Sequence, residues 1–131
     1  MGNNKLTKEE RIKKDKIIEE LFSPGSNSFY HHPIRIVYRI TEQIDAPVAI
    51  LISVSKKRFN LAVDRNRIKR QLREAYRKNK EELLEEVKRQ NKKVSIAFIY
   101  QGKSILPTRE VEEQLKKGLL DLALTLKKDD K

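Results

Sequence analysis

The chain of 131 residues contains no cysteine and no tryptophan, and its four glycines are isolated from one another. Without cysteine there is no disulfide, no thiol nucleophile and no cysteine-ligated zinc, a composition typical of a reducing compartment. Isolated glycines exclude a glycine-rich phosphate loop. No apolar run approaches the roughly 18 residues of a membrane span, and the N-terminus lacks an apolar signal core. We therefore expect a cytoplasmic protein with no membrane partner.

The sequence also lacks a recognisable catalytic constellation. No serine has an identifiable base, and no acidic pair has a spacing that points to acid–base chemistry. The two histidines, His31 and His32, are adjacent. Neighbouring side chains of a strand point to opposite faces, so these two make a poor chelating pair. We expect no catalytic residue, no metal ligand and no cofactor held by the protein itself.

Acidic residues are scarce in one segment, residues 56–80. It contains eleven Lys or Arg and two acidic residues, a net charge of +9 in a chain whose total is +11. The part from Leu61 to Lys80 has the pattern of a helix. A helix face that is only solvated normally intersperses Glu with Lys and Arg to form i,i+4 pairs, but here Glu74 is the one acid after Arg65. Such uncompensated charge indicates a polyanionic partner, and above all a nucleic acid.

The apolar residues of this helix form a narrow stripe. Leu61, Ile68, Leu72 and Ala75 fall within an arc of roughly 60° at 100° per residue, so we predict that they are buried. The basic residues from Arg65 to Arg77 fan around the other side. Asn66 lies among them, where its amide could contact a base edge or a 2′-hydroxyl, or could simply be a tolerated polar residue of the helix surface.

The remaining apolar residues predict one α+β domain spanning residues 1–131, with mobile ends at 1–10 and 127–131. The pattern alternates as in a half-buried strand over 33–41, while 48–55 is almost continuously apolar, as in a central strand. A core-facing helix stripe, preceded by an N-cap at Thr108, is formed by Val111, Leu115, Leu119, Leu122 and Leu126. The predicted order is α-β-β-α-β-α, with elements at 14–22, 33–41, 48–55, 61–80, 94–100 and from 108 onwards.

One stretch matches a known signature in residue type and spacing. Ser53-Val54-Ser55-Lys56-Lys57 is followed by Phe59, Ala62, Arg65-Asn66-Arg67-Ile68-Lys69-Arg70, Leu72 and Arg73. This resembles the protein component of bacterial ribonuclease P, and the likeness extends over about residues 11–127. The resemblance implies a ribosomal protein S5 domain 2-like fold with a left-handed βαβ crossover, although right-handed crossovers account for about 98% of cases.

The resemblance implies a subunit that is not itself the catalyst. In this family the catalytic RNA subunit, with Mg²⁺, cleaves the 5′ leader from precursor tRNA, and the protein binds that RNA and the single-stranded leader. Carried over by position, the residues that would contact RNA are Lys56, Lys57, Arg58, Arg65, Asn66, Arg67, Lys69, Arg70, Arg73 and Arg77. Those expected in the leader cleft are Phe22, Tyr38, Lys56 and Lys57.

The residue types at some positions argue against parts of the predicted leader cleft. Ile18 stands where many relatives place an aromatic residue, one turn before Phe22. Tyr38 shares its strand parity with three isoleucines, which favours at least partial burial and puts Arg35 and Arg39 on the opposite face. For Phe22, too, core packing is the alternative to base stacking.

The main alternative is a structural RNA-binding protein, such as a ribosomal protein of similar size and fold. Composition does not separate the two, but the spacing from Phe59 to Arg73 favours the ribonuclease P subunit. A basic module that binds a membrane surface is disfavoured because the apolar stripe of the helix is narrow and lacks Trp and Phe.

Overall fold

A computed structural model of the chain describes residues 6–129. Within that range the helices are α1 (Asp15–Leu21), α2 (Ala62–Asn79), α3 (Glu81–Arg89) and α4 (Thr108–Asp129), and a short 3-10 helix covers Lys8–Glu10. The strands are β1 (Asn27–His31), β2 (Ile34–Ile40), β3 (Val48–Val54) and β4 (Val94–Tyr100). The α+β class predicted from the sequence is confirmed.

The four strands form one sheet in the order β1-β2-β4-β3. β2 is antiparallel to both of its neighbours, whereas β3 and β4 are parallel, with Val48 opposite Val94 and Val54 opposite Tyr100. A parallel pair needs a long connection, and here α2 and α3 supply it. α2 therefore starts beyond the C-terminal end of β3, at one edge of the sheet. The left hand of this crossover stays a prediction.

The two faces of the sheet are covered unequally. Side chains such as Ile36, Ile96 and Phe98 are fully buried in a cluster that includes residues of α2, α3 and α4. The alternate positions, among them Val37 and Ala97, pack instead with residues of α1 and the N-terminal segment. Because α1 is only seven residues long, it covers the second face incompletely. The first face is a core, and the second leaves room for a cleft.

Two elements were missing from the sequence prediction. β1 has only Phe29 facing the core cluster, so its residues lack a clear alternating pattern; it is held by pairing with β2, from Asn27 opposite Tyr38 to His31 opposite Ile34. α3 has no counterpart in the predicted order of elements, yet Leu83 and Val87 are buried and make it an amphipathic helix.

The predicted buried stripe of α2 is wrong at its first position. Ile68, Leu72 and Ala75 are buried, but Leu61 is 57% exposed because the helix begins only at Ala62 and Leu61 is extended. The polar side chains that complete the buried face are those of Gln71 and Tyr76.

The mobility predicted for the two ends of the chain stays a prediction. Of the ends predicted to be mobile, residues 1–5 and 130–131 lie outside the described residues. Residues 6–10, by contrast, pack on the domain, with Leu6 against the core cluster and Glu10 buried. α4 continues to Asp129.

Candidate RNA-binding surface

The outward side of α2 is strongly cationic because of the way its buried side is fixed. Ile68 and Leu72 are fully buried, which turns the opposite side of the helix to solvent. Asn66, Arg70, Arg73 and Arg77 follow one another at i, i+4, i+7 and i+11 along the centre of that side. We call the cationic face the set formed by these four residues and their flanking neighbours, Arg65, Arg67 and Lys69.

Two arginines of the cationic face are already engaged by the protein. Arg65 donates from Nη1 to the backbone oxygen of Phe59 at 2.8 Å. Arg77 donates to the Glu74 carboxylate, with 2.8 Å between Nη2 and Oε1, and this hydrogen bond lowers the pKa of Glu74. The other four cationic side chains of the face form no hydrogen bond or ion pair within residues 6–129: Arg67, Lys69, Arg70 and Arg73.

The turn over residues 55–60 carries further basic side chains next to α2. Ser55 Oγ accepts hydrogen bonds from the backbone N–H groups of Lys57 at 3.1 Å and Arg58 at 3.3 Å. Phe59 is 7% exposed and packs on Tyr100, with 5.9 Å between ring centroids. The serine and the phenylalanine of the signature thus shape the turn, and Lys56 and Lys57 remain exposed on it.

A second candidate surface is a depression beside α1, which we call the α1 cleft. Its lining combines the end of α1, the alternate positions of β2 and the end of β4: Leu21, Phe22, Ser23, Ser26, Ser28, Arg35, Val37, Ile99 and Gln101. Phe22 follows the last residue of α1 and is 48% exposed. Arg58 donates a hydrogen bond to the backbone oxygen of Gln101, so the basic turn adjoins this cleft.

Tyr38 does not belong to the α1 cleft, and its predicted place there is corrected. The side chain is 5% exposed and lies on the helix-covered face, where its ring is 5.8 Å from that of Phe29. Tyr38 alternates along β2 with Ile34 and Ile36, so its side chain lies on the same buried face as theirs. The structure therefore does not bring Tyr38 together with Phe22. Ile18 is partly buried against the cluster beneath α1.

The residue that the site prediction missed is Arg35. Its side chain is exposed, lines the α1 cleft and donates to Ser28 Oγ at 3.4 Å. Arg39, also on this face, is held by Ser23 Oγ at 3.1 Å and faces Glu20 at 4.0 Å. The alternation of β2 places both arginines on the face opposite Tyr38. The sequence therefore contained the information, but the leader cleft was assigned to the face of Tyr38 and not to that of the arginines.

The two histidines have separate partners. His31 Nε2 lies 2.6 Å from Asp121 Oδ2, and His32 Nδ1 lies 2.7 Å from the Tyr30 hydroxyl. In the described part of the chain no three His, Asp or Glu side chains come together as a metal site would require. The helices of residues 6–129 include none that is long and apolar enough to cross a bilayer.

The fold and the charge distribution define the class: a small α+β RNA-binding protein with a cationic helix beside a cleft. The ribonuclease P family model matches residues 6–122, and the chain belongs to this family of ribonuclease P proteins. The prediction of an RNA-binding subunit of a tRNA-processing endoribonuclease is thereby confirmed, and the ribosomal alternative is not favoured. The family implies an RNA partner.

Similar proteins include the ribonuclease P protein component of Porphyromonas gingivalis strain ATCC 33277. It is 39% identical over 119 residues, which cover 90% of this chain and 86% of the relative. The ribonuclease P protein component of Chlorobium phaeobacteroides is 37% identical over 84 residues, 61% of this chain and 57% of the relative.

Solved structures agree with this assignment. The Staphylococcus aureus RNase P protein superposes with a TM-score of 0.68 at 27% identity, covering 87% of this chain and 94% of that one. The Thermotoga maritima RNase P protein has a TM-score of 0.64 at 23% identity, covering 84% and 94%, and it supports the fold alone.

Proposed function

We propose that this protein binds the catalytic RNA of ribonuclease P through the cationic face of α2 and the single-stranded 5′ leader of precursor tRNA in the α1 cleft. The observation that carries the proposal is the existence of two different surfaces that meet at the basic turn. One is almost purely cationic, and the other combines an exposed aromatic ring with apolar and polar groups. Different surface chemistry suits different parts of the RNA.

The cationic face is suited to a folded RNA. Arginine outnumbers lysine there, and a planar guanidinium donates two parallel hydrogen bonds to phosphate oxygens. Neutralising several phosphates releases counterions, which makes such binding strong at low salt. Asn66 lies at the centre of the face and is exposed, so its amide can both donate and accept at a base edge or a 2′-hydroxyl.

The α1 cleft is suited to an extended single strand. Phe22 presents a half-exposed ring on which an unpaired base can stack, and such stacking is sequence-tolerant. Val37 and Ile99 form an apolar floor, while Arg35 and Gln101 offer donors for phosphate, sugar or base groups. Lys56 and Lys57 add positive charge where the turn adjoins the cleft. A cytoplasmic location goes with this role.

The protein's contribution to the reaction is positioning and charge. Mg²⁺ would be held by the RNA subunit, and the protein would hold no cofactor of its own. Basic side chains near the RNA reduce the repulsion between substrate and catalytic RNA, which lowers the concentration of metal ion that the complex needs. Contact with the leader lets the complex distinguish precursor from mature tRNA.

The two surfaces can be tested separately. The substitution Arg70→Ala should weaken binding of the ribonuclease P RNA and leave unchanged the ratio of affinities for precursor and mature tRNA. Arg35→Ala should do the reverse, lowering the preference for precursor tRNA in the reconstituted complex. Filter binding with labelled RNA measures both quantities. If both variants lower the same quantity, the proposal that the cationic face binds the catalytic RNA and the α1 cleft binds the leader is wrong.

A further inference from the structure

The segment that precedes α1 wraps around the outer edge of the sheet. We call residues 7–14 the N-terminal strap. Before it, Leu6 packs against the core cluster under the helices. Arg11 then pairs with Ile50 of the edge strand β3, and the N–H of Ile12 donates to the Ile50 oxygen at 2.9 Å. Ile12 is buried in the cluster on the α1 face. The strap thus joins the two faces while it covers an open strand edge.

A buried ion pair fastens this strap to the end of α2. Glu10 is 6% and Lys80 is 4% exposed, and Lys80 Nζ lies 3.0 and 2.9 Å from the two carboxylate oxygens of Glu10. The backbone N–H of Thr7 donates to the same carboxylate at 2.8 Å. A paired and hydrogen-bonded arrangement is the form in which buried charges persist.

The place of Lys80 in the chain makes this pair more than a general fold contact. Lys80 belongs by sequence to the basic run, but its charge is withdrawn from the cationic face and points at Glu10. It stands where α2 ends and α3 begins, and its Nζ lies 5.9 Å from the ring centroid of the buried Tyr76 on α2. The strap is therefore attached to the helix that carries the cationic face.

The other end of the strap leads directly into α1. Lys14 is the N-cap of α1, and its oxygen accepts hydrogen bonds from the N–H groups of Ile17 at 3.1 Å and Ile18 at 3.2 Å. Seven residues later the same helix ends at Leu21, followed by Phe22, and both line the α1 cleft. The position of the strap thus sets where one wall of the cleft begins.

We propose that Glu10 and Lys80 are positioning residues that couple the cationic face of α2 to the α1 cleft, so that the complex distinguishes leader-bearing from leaderless tRNA only while this pair is intact. The proposal rests on the function proposed above. The coupling runs from α2 through Lys80 and Glu10 into the strap and on to α1. Removing it shifts the start of α1 and with it the Phe22 wall, without touching a residue of either binding surface.

The test compares three variant proteins with the unsubstituted chain, each in complex with bacterial ribonuclease P RNA. Glu10→Gln with Lys80→Met removes both charges together, so that no unpaired charge is left buried, and Lys80→Arg keeps the pair. Lys88→Met removes an exposed lysine of α3 and serves as the matched control. For each protein and the unsubstituted chain, equilibrium binding gives the affinity for the RNA and the ratio of affinities for precursor and mature tRNA.

The double variant should lower the precursor-to-mature ratio at least about fivefold, the lower end of typical coupling between sites, and change the affinity for the ribonuclease P RNA less than about twofold. Lys80→Arg and Lys88→Met should keep the ratio of the unsubstituted chain. Circular dichroism checks that each variant is folded.

Two results would overturn the proposal. One is a folded double variant with an unchanged ratio. The other is a double variant that does not fold, or one that loses RNA affinity as much as leader preference, because the pair would then serve the fold as a whole. If the unsubstituted chain itself shows no leader preference, the function proposed above has failed, and that result is separate from any effect of the pair.

Discussion

α2 and α4 lie side by side on the same face of the sheet, yet their outward surfaces differ. The Gln71 side chain of α2 donates to the Leu106 oxygen just before α4 at 3.0 Å and to Thr108 Oγ1, at the start of α4, at 3.1 Å. Each buries an apolar stripe in the same core cluster. α4 carries five basic and five acidic residues, whereas α2 carries seven basic and two acidic ones.

The comparison shows that packing does not require the charge of α2. α4 meets the same packing demand with balanced charges, as a helix that only has to remain soluble would do. The surplus on α2 increases the repulsion within one helix, since Glu74 is the one acid of its last four turns. The difference between the two helices is therefore best explained by binding to RNA, and the following experiments break or sharpen it.

The largest expected effect is the salt dependence of binding. If the cationic face and the basic turn together contact about six phosphates or more, raising salt from 50 to 200 mM should lower the affinity for ribonuclease P RNA on the order of 10³-fold. Fluorescence anisotropy over a salt series measures this. A flat response would mean that the charge of α2 is not used electrostatically.

Removing charge from each helix in turn should give unequal results. Arg65→Ala with Arg70→Ala should weaken RNA binding on the order of 10²-fold, since each charge-assisted hydrogen bond contributes about 1.5–3 kcal/mol. The slope of log affinity against log salt should fall by about two. The matched control is Lys116→Ala with Lys117→Ala, two exposed residues of α4. Equal losses of RNA affinity from both pairs of substitutions would show that α2 and α4 do not differ in RNA binding.

A substitution outside both helices tests whether leader binding is a separate property. Phe22→Ala should lower the affinity of the complex for precursor tRNA about tenfold, because stacking of one base on an aromatic ring contributes roughly 1–3 kcal/mol. Binding of the ribonuclease P RNA should not change. Tyr38→Phe, at the buried position on the other face, is the control and should leave leader affinity as it is. If Tyr38→Phe lowers leader affinity instead, Tyr38 contacts the leader and its exclusion from the cleft is wrong.

The smallest expected effect is a gain. The hydrogen bond from Arg77 lowers the pKa of Glu74 below its usual range. The Glu74 carboxylate is therefore ionised at neutral pH and forms an ion pair with Arg77. Glu74→Gln should free Arg77 and raise RNA affinity about two- to fivefold, in keeping with the small strength of an exposed ion pair. This change makes α2 still less like α4. A decrease in affinity would show that the Glu74–Arg77 pair helps to orient the arginine.

Much of the fold could be predicted from the sequence because its elements have strong periodicity. The strands at β2, β3 and β4 and the helices α2 and α4 follow from apolar alternation or from a helical stripe. β1 could not be predicted, since its stability comes from pairing with β2 and not from its own pattern. α3 was missed because its four glutamates obscured two buried positions, Leu83 and Val87.

For the candidate site, sequence reasoning located the surface better than it located individual side chains. Charge density identified α2, since local composition alone determines it. The α1 cleft depends on which face of the sheet each strand residue occupies, and that is a tertiary property. Hence Tyr38 was placed in the cleft and Arg35 was not. The buried pairing of Glu10 with Lys80 spans 70 positions of sequence and leaves no local pattern.

The measurement that tests the central claim most directly is cleavage of precursor tRNA at low magnesium. Three reactions are compared: bacterial ribonuclease P RNA alone, this protein alone, and the two together. The account predicts cleavage at the mature 5′ end in the mixture and none above background in either component alone. A mixture no faster than the RNA alone, or cleavage by the protein without RNA, would contradict it.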